Sequence, residues 1–181
     1  MKKPVALILA LISLLLVSCV KMETYYPSES SLGTMFGENR ALFSDAVASC
    51  LEIGEDCFIS TTDYWTPKNA GDISGLYVSN VDETEVRPLE DKAISALFNA
   101  CDVRSAAFRV EGELKAVEFN CGGSRNYYCG VYYVSKDEPV YIGNFSAELT
   151  ESADGFVYQS GKVRYFTKKL SDNFYYFDAQ M

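Results

Sequence analysis

Apolar residues recur at helical spacing in a first segment that begins near residue 39. Asn39 is a residue type that caps helix N-termini, and Gly54 is a type that ends helices in the left-handed conformation. Between them, one helical face collects Leu42, Phe43, Ala46, Val47, Cys50 and Leu51. This pattern predicts an amphipathic helix that packs on an apolar surface.

A second helical pattern begins at Pro88, which suits the first position of a helix. Glu90 and Asp91 follow in the first turn, where negative charge favours the positive end of the helix dipole. The apolar stripe of this helix consists of Leu89, Ala93, Ile94, Leu97, Phe98 and Cys101. The chain therefore carries two predicted helices in its N-terminal half.

The remaining apolar segments are short, rich in Val, Tyr and Phe, and separated by Gly or Asp turns, which favours strands. Connections this short allow hairpins but not crossover helices. The predicted fold is α+β, with two helices packed on a mainly antiparallel meander sheet. The predicted strands lie near 57–60, 75–79, 106–111, 113–121, 127–135, 139–145, 155–160, 162–168 and 173–178.

The N-terminus has a different pattern. Lys2 and Lys3 precede an apolar run from Val5 to Val17 that contains one polar residue, Ser13. A helix over that run covers roughly 20 Å, whereas the hydrocarbon core of a bilayer is about 30 Å thick. The run is therefore typical of an export signal rather than of a membrane-spanning helix.

The end of this run, Leu16-Val17-Ser18-Cys19, resembles the lipobox of bacterial lipoproteins. The resemblance implies that the Cys19 thiol receives a diacylglyceryl group, that the signal is cut before it, and that the new amino terminus is acylated with a fatty acid such as palmitate. In enteric bacteria it also implies outer-membrane sorting, because Val20 rather than Asp follows the cysteine. The alternative is a simple secretory signal that happens to contain a cysteine.

The implied organisation has three parts: a cleaved lipoprotein signal peptide (1–18), the lipidated cysteine with a flexible tether (19–37) and one α+β domain (38–181). The second part is rich in Ser, Glu and Gly and contains Pro27. This composition favours a flexible linker without regular structure. Two or three acyl chains make a stable membrane anchor, whereas one does not. The expected location is the bacterial cell envelope, with the membrane as a partner through the N-terminal lipid.

Composition excludes several functions. The chain has no histidine, so it lacks Ser-His-Asp and Cys-His machinery and histidine metal ligands. Its net charge of −9, which becomes more negative without Lys2 and Lys3, disfavours nucleic-acid binding. We expect no cofactor, no metal and no catalytic residue. The remaining enzymatic alternative is glycan hydrolysis by a carboxylate pair, for which the acidic clusters Glu52, Glu55, Asp56 and Asp82, Glu83, Glu85 supply candidates.

With Cys19 lipidated, five cysteines remain for an oxidising compartment. If the strands near 113–121 and 127–135 form a hairpin, a register that pairs Cys121 with Cys129 also pairs Phe119 with Val131 and Val117 with Tyr133 on one face. Cys50 and Cys57 flank the Gly54 turn and form the second disulfide candidate. Cys101 is then a buried thiol, although a bridge from Cys101 to Cys121 or Cys129 is a rival connectivity.

Tyrosine doublets send one ring to each face of a strand. If one face of the sheet is bare, its rings form a surface that suits a protein or a glycan; the alternative is that helices and loops cover it. The candidate binding residues are Tyr128, Tyr132, Tyr141 and Tyr176.

The segment Ser160-Gly161-Lys162-Val163-Arg164-Tyr165, followed by Lys168, resembles the inhibitory loop of membrane-bound lysozyme inhibitors. We expect a non-enzymatic, lipid-anchored envelope lipoprotein that binds a protein or glycan partner. An inhibitor of a basic envelope enzyme such as lysozyme and a carboxylate-pair glycan hydrolase are the alternatives.

Overall fold

The computed structural model describes residues 25–69, 71–124 and 126–181. The predicted signal (1–18), the predicted lipidation site Cys19 and the sorting residue Val20 lie outside these residues. Among the described residues, two helices, α1 (Glu29–Ile53) and α2 (Lys92–Ala100), accompany ten strands. The strands are β1 (Cys57–Thr61), β2 (Leu76–Ser79), β3 (Val86–Pro88), β4 (Ser105–Glu111), β5 (Leu114–Ser124), β6 (Tyr127–Val134), β7 (Thr150–Ser152), β8 (Gly155–Ser160), β9 (Val163–Ser171) and β10 (Phe174–Gln180).

All ten strands form one sheet in the order β3-β2-β1-β4-β5-β6-β10-β9-β8-β7, and every neighbouring pair is antiparallel. The α+β prediction is confirmed, with both helices in the N-terminal half. The topology adds one feature to the predicted meander. The chain leaves β6, crosses to the far edge at β7, and returns through three hairpins to place β10 beside β6.

Helix α1 begins earlier than predicted. The side chain of Ser28 caps it by accepting a hydrogen bond from the amide of Ser31 at 3.2 Å. The first turns bury Leu32 and Phe36. The prediction of a tether over 19–37 is therefore wrong from residue 29 onward, because these two side chains contribute to the hydrophobic core.

Asn39, the predicted cap, lies at a kink inside α1, where φ is −120°. Its side-chain amide donates to the carbonyl of Met35 at 2.9 Å. Gly54 ends the helix with φ of +79°, as predicted. The predicted start of the helix is therefore wrong, and its predicted end at Gly54 is confirmed.

Helix α2, in contrast, begins later than the position of Pro88 indicated. Pro88 ends β3, and Asp91 caps the helix by accepting from the amide of Ile94 at 2.8 Å. The proline was a misleading signal because its fixed φ suits a strand edge as well as a helix start. Ile94 and Leu97 still form the buried stripe that was predicted.

The sheet has a separate apolar cluster on each face. One lies between the helices and the sheet and contains Phe43, Phe108 and Phe119. The other lies beneath residues 135–149, named here the cover segment, and contains Tyr132, Tyr165 and Phe177. The cover segment includes residues 139–145, which we predicted as a strand and which instead form turns. The short strands β3 and β7 were not predicted.

The β5–β6 hairpin keeps the predicted pairs of Val117 with Tyr133 and Phe119 with Val131. The register then shifts, so that Cys129 faces Gly122 and Cys121 becomes the extra residue of a bulge. The Cys121–Cys129 backbone pairing that we predicted is therefore wrong by one position.

Candidate functional site

The predicted tyrosine surface is not exposed. Tyr132, Tyr141 and Tyr176 are all less than a tenth exposed, and Tyr128 is partly buried. Tyr176 lies on the helix side of the sheet, whereas Tyr128 and Tyr132 pack beneath the cover segment, to which Tyr141 itself belongs. The alternative, that the second face is covered, is therefore the correct one, although a loop rather than the helices covers that side.

The tyrosine hydroxyls hold the cover segment in place. The Thr167 hydroxyl donates its single proton to the carbonyl of Tyr176 at 2.9 Å, so in its 2.9 Å contact with Tyr132 the tyrosine is the donor. The Tyr132 oxygen then accepts from the amide of Val140 at 3.1 Å. Similarly, the Tyr175 hydroxyl donates to the carbonyl of Asp137 at 2.9 Å. These rings are therefore structural groups of the fold.

Glu118 is the most perturbed carboxyl group. It projects from β5 on the cover-segment side, and burial raises its pKa to about 7, an effect that the charge of Arg109 partly offsets. Its charge in turn contributes to raising the pKa of Tyr128 and of Tyr141. A single carboxyl group among tyrosines does not provide the pair that glycoside hydrolysis requires.

The five described cysteines all lie in the cluster between the helices and the sheet, and all are buried thiols in the structure. Burial raises the pKa of Cys50 and Cys129 to about 12 and that of Cys57 to about 11. Such thiols ionise poorly and are weak nucleophiles at neutral pH. The two disulfide candidates are not formed in this structure, and the pairings of Cys50 with Cys57 and Cys121 with Cys129 stay predictions.

A cavity of about 370 Å³ opens beside the N-terminal segment. Pro27 and Leu32 line it on one side, and Cys101 and Cys121 line it on the other. Both sulfurs therefore border the same cavity, which keeps the rival pairing of Cys101 with Cys121 open.

A larger cleft of about 550 Å³ lies at the opposite end of the sheet and is named here the distal cleft. It brings together the two acidic clusters that the sequence separates by some thirty positions: Glu55 and Asp56 from one, and Glu85 from the other. Sequence analysis had no means to place them together, because the β2–β3 hairpin that carries Glu85 was only half predicted. The lining consists of Ile53, Glu55, Asp56, Cys57, Asn69, Val78, Ser79, Asn80, Thr84, Glu85, Val86 and Arg87.

Local hydrogen bonds fix the wall of this cleft. The Asn80 side-chain oxygen accepts from the amides of Thr84 and Glu85 at 2.9 and 3.1 Å, which closes the β2–β3 turn. Asp56 is occupied by the amide of Val110 at 2.7 Å, so its role is structural. Ser79 is only 2% exposed, and its hydroxyl has no hydrogen-bond partner among the described residues.

Sequence analysis missed a group of exposed and mostly aromatic side chains at the other end of the sheet. These side chains, named here the aromatic end face, are Tyr25, Tyr26, Tyr64, Trp65, Tyr127 and the terminal Met181, each more than a third exposed. The available signal was the single tryptophan of the chain, placed in a turn-rich segment where no core strand is expected.

The turn that resembles the inhibitory loop joins β8 to β9, with Lys162 and Arg164 exposed and Tyr165 buried. Exposed basic residues in a tight turn are compatible with the resemblance but do not test it. The inhibitor alternative stays a prediction.

Comparison of this chain with protein-family models, with curated proteins and with solved structures finds no match. Within the residues that the structure describes, neither helix is long and apolar enough to cross a bilayer. The function therefore has to be inferred from the residues themselves.

Proposed function

We propose that this chain is a lipid-anchored lipoprotein of the bacterial cell envelope, and that it binds a ligand in the distal cleft without catalysing a reaction. The observation that carries the anchor is the ordered series of basic start, short apolar run, small residue and Cys19. The observation that carries the binding role is the distal cleft, which brings Glu55, Glu85 and Arg87 together in one lining.

The positions of the distal cleft and of the N-terminal segment support this arrangement. Strands β1 and β5 run in the same direction, because each is antiparallel to β4. The distal cleft contains Cys57, the first residue of β1, whereas the N-terminal segment contacts Gly123 near the end of β5. The cleft and the anchored N-terminus therefore lie at opposite ends of the sheet, which leaves the cleft open to the aqueous side.

The lining of the cleft favours a ligand with several hydroxyl or amide groups. Glu55 and Glu85 accept hydrogen bonds, Arg87 donates them, and Val78 and Val86 add a small apolar area. A volume of about 550 Å³ falls in the range of sites for small ligands. A short glycan fits this chemistry, and cell-wall glycan is the natural candidate in the envelope.

The anchor is tested by the mass of the N-terminal peptide of protein purified from membranes. A peptide that begins at Cys19 and carries diacylglyceryl and acyl groups supports the proposal. An unmodified peptide that begins at any other residue contradicts it.

The ligand is tested by heteronuclear NMR titration with N-acetylhexosamine oligosaccharides and soluble peptidoglycan fragments. We expect shifts confined to the β2–β3 hairpin and the Glu55 loop, and we expect Arg87→Ala to weaken binding at least tenfold. Lys162→Ala, an exposed cation at the other end of the sheet, is the matched control and should bind normally. Shifts that map elsewhere, or equal losses in both variants, contradict the cleft assignment.

One observation favours a second candidate, a glycan hydrolase, since Glu55 and Glu85 line the same cleft. Two carboxyl groups in one cleft are the elements of that chemistry. Release of reducing ends from the bound oligosaccharide, lost in Glu55→Gln and in Glu85→Gln, supports the hydrolase. Binding without release supports the non-enzymatic role.

A further inference from the structure

The exposed apolar side chains of this protein are unevenly distributed. Seven large hydrophobic residues are exposed among those described, and six of them form the aromatic end face. The seventh, Val81, lies in the β2–β3 turn beside the distal cleft, at the other end of the sheet. Singly exposed apolar residues are ordinary, but six at one end of one sheet form a patch that calls for a partner.

Arg104 and Gly123 link the loop after β1 to the N-terminal segment. The guanidinium group of Arg104 lies over the Tyr64 ring, 5.6 Å from its centroid, and donates to the carbonyl of Gly123 at 3.1 Å. The amide of Gly123 in turn donates to the carbonyl of Tyr25 at 2.9 Å. Trp65 follows Tyr64 in the same turn and is about half exposed. The loop after β1 and the N-terminal segment therefore meet at one place.

The other half of the surface is equally connected. The rings of Tyr26 and Tyr127 pack with centroids 4.8 Å apart. The Tyr26 hydroxyl donates to Asp178 at 2.7 Å, which fixes the N-terminal segment on β10. The amide of Met181 donates to the carbonyl of Asn126 at 3.0 Å, which places Met181 beside the turn between β5 and β6.

The length of chain beyond the structure decides which partner fits. Residues 20–24 alone separate Tyr25 from Cys19. Even fully extended, the six Cα–Cα steps from Cys19 to Tyr25 reach about 20 Å. If Cys19 carries the lipid, as proposed above, Tyr25 at the edge of the aromatic end face is held within that distance of the bilayer surface.

The chemistry of the patch suits the same partner. Tyrosine and tryptophan prefer the boundary between headgroups and acyl chains, where the ring is in an apolar medium and the polar atom remains hydrated. The net charge of −9 gives the body no general attraction to anionic lipids, so contact has to come from the rings. The Tyr26–Tyr127 ring pair, the exposed rings of Tyr64 and Trp65, and Arg104 present a surface of this kind.

We propose that the aromatic end face lies on the bilayer to which Cys19 is anchored, so that the domain stands on this face with the distal cleft directed away from the membrane. The inference rests on the proposed lipidation. It adds an orientation of the domain: the lipid and the aromatic end face hold the domain to the bilayer together, so the domain is not free to rotate on a flexible linker.

The single tryptophan allows a direct test without labelling. The purified lipidated protein is reconstituted in phosphatidylcholine vesicles that contain lipids brominated along the acyl chain, and Trp65 fluorescence is compared with that in unbrominated vesicles. We expect a blue-shifted emission and at least twofold quenching by the bromines nearest the headgroup. The matched control is Trp65→Phe combined with Val81→Trp, which moves the only tryptophan to the cleft end and should remain unquenched.

The outcomes separate the two proposals. Protein that floats with the vesicles and shows the expected contrast between the two tryptophan positions supports the orientation. Protein that floats but leaves Trp65 unquenched overturns the orientation while the anchor stands. A blue-shifted but unquenched Trp65 also overturns it, because a second copy or another protein then covers the face. Protein that carries no lipid and fails to float refutes the proposed anchor itself, and with it this inference.

Discussion

The hydroxyl group of Tyr132 accepts a hydrogen bond of 3.1 Å from the backbone amide of Val140, and this bond is one of the direct links between the sheet and the cover segment. We expect Tyr132→Phe to lower the free energy of unfolding by about 1–3 kcal/mol, because it leaves the amide of Val140 without a partner in a buried place. Urea unfolding measures the change. Tyr133→Phe, one position along the same strand, is the control and should change stability by less. Equal losses in the two variants contradict the role assigned to the hydroxyl.

The N-terminal turns of α1 provide a second prediction. Phe36 is 4% exposed and packs between the rings of Phe43 and Phe174, with centroids 5.4 and 5.0 Å away. Phe36→Ala should therefore lower the free energy of unfolding by about 3 kcal/mol or more. Glu38→Ala, an exposed change in the same helix, should be nearly neutral. A neutral Phe36→Ala would mean that residues 29–37 are a tether after all.

The raised pKa of Glu118 predicts that the free energy of unfolding depends on pH. Its pKa of about 7 in the folded protein lies above that of an unfolded glutamate, about 4.3. A raised pKa means that the folded state holds the proton more tightly, so the stability it contributes is fully present below pH 4 and is lost as the pH rises toward 7. Glu118→Gln should be about 1–3 kcal/mol more stable than the natural protein at pH 8, and the difference should vanish near pH 4. Urea unfolding at a series of pH values measures it; a difference that is the same at all pH values contradicts the assignment.

The cysteines give a prediction that a thiol count can test. If the two predicted disulfides form after export, one of the five described thiols remains free. Titration with a thiol reagent should then show no rapid reaction in the folded protein, because the thiols are buried, and one equivalent after unfolding in urea. Mass mapping of non-reduced peptides should join Cys50 to Cys57. Five equivalents would show that the exported protein keeps all its thiols, and a Cys101–Cys121 peptide would favour the rival connectivity.

Local patterns were enough to predict the parts of the fold whose partners are close in sequence. Period-two alternation placed Val117 opposite Tyr133 and Phe119 opposite Val131. It did not reveal the bulge at Cys121, because an added residue changes the register only beyond itself. The start of α1 was missed although Leu32, Phe36 and Phe43 continue the helical spacing, since Gly33 and Gly37 interrupt the segment with residues of low helix propensity.

Features that depend on distant parts of the chain could not be predicted. Val140, Tyr141 and Ile142 are apolar because the cover segment packs on the second face of the sheet, and an apolar run in a loop is indistinguishable from a strand by pattern alone. Likewise, no local signal indicates that Glu55 and Glu85 line one cleft, or that Tyr64 and Tyr25 lie at one end of the sheet. The candidate binding tyrosines were misplaced for the same reason.

We propose above that a lipid on Cys19 holds the domain to a membrane outside the cytosol. The most direct test of this anchor expresses the natural protein and the Cys19→Ser variant in a Gram-negative host, separates membranes from soluble material by sedimentation in high salt, and measures the intact mass of each form. The account predicts that the natural protein sediments with a mass increased by the diacylglyceryl and acyl groups, and that Cys19→Ser lacks these groups and is released from the membrane. A Cys19→Ser protein that still sediments after the salt wash, with no attached lipid, would contradict the account.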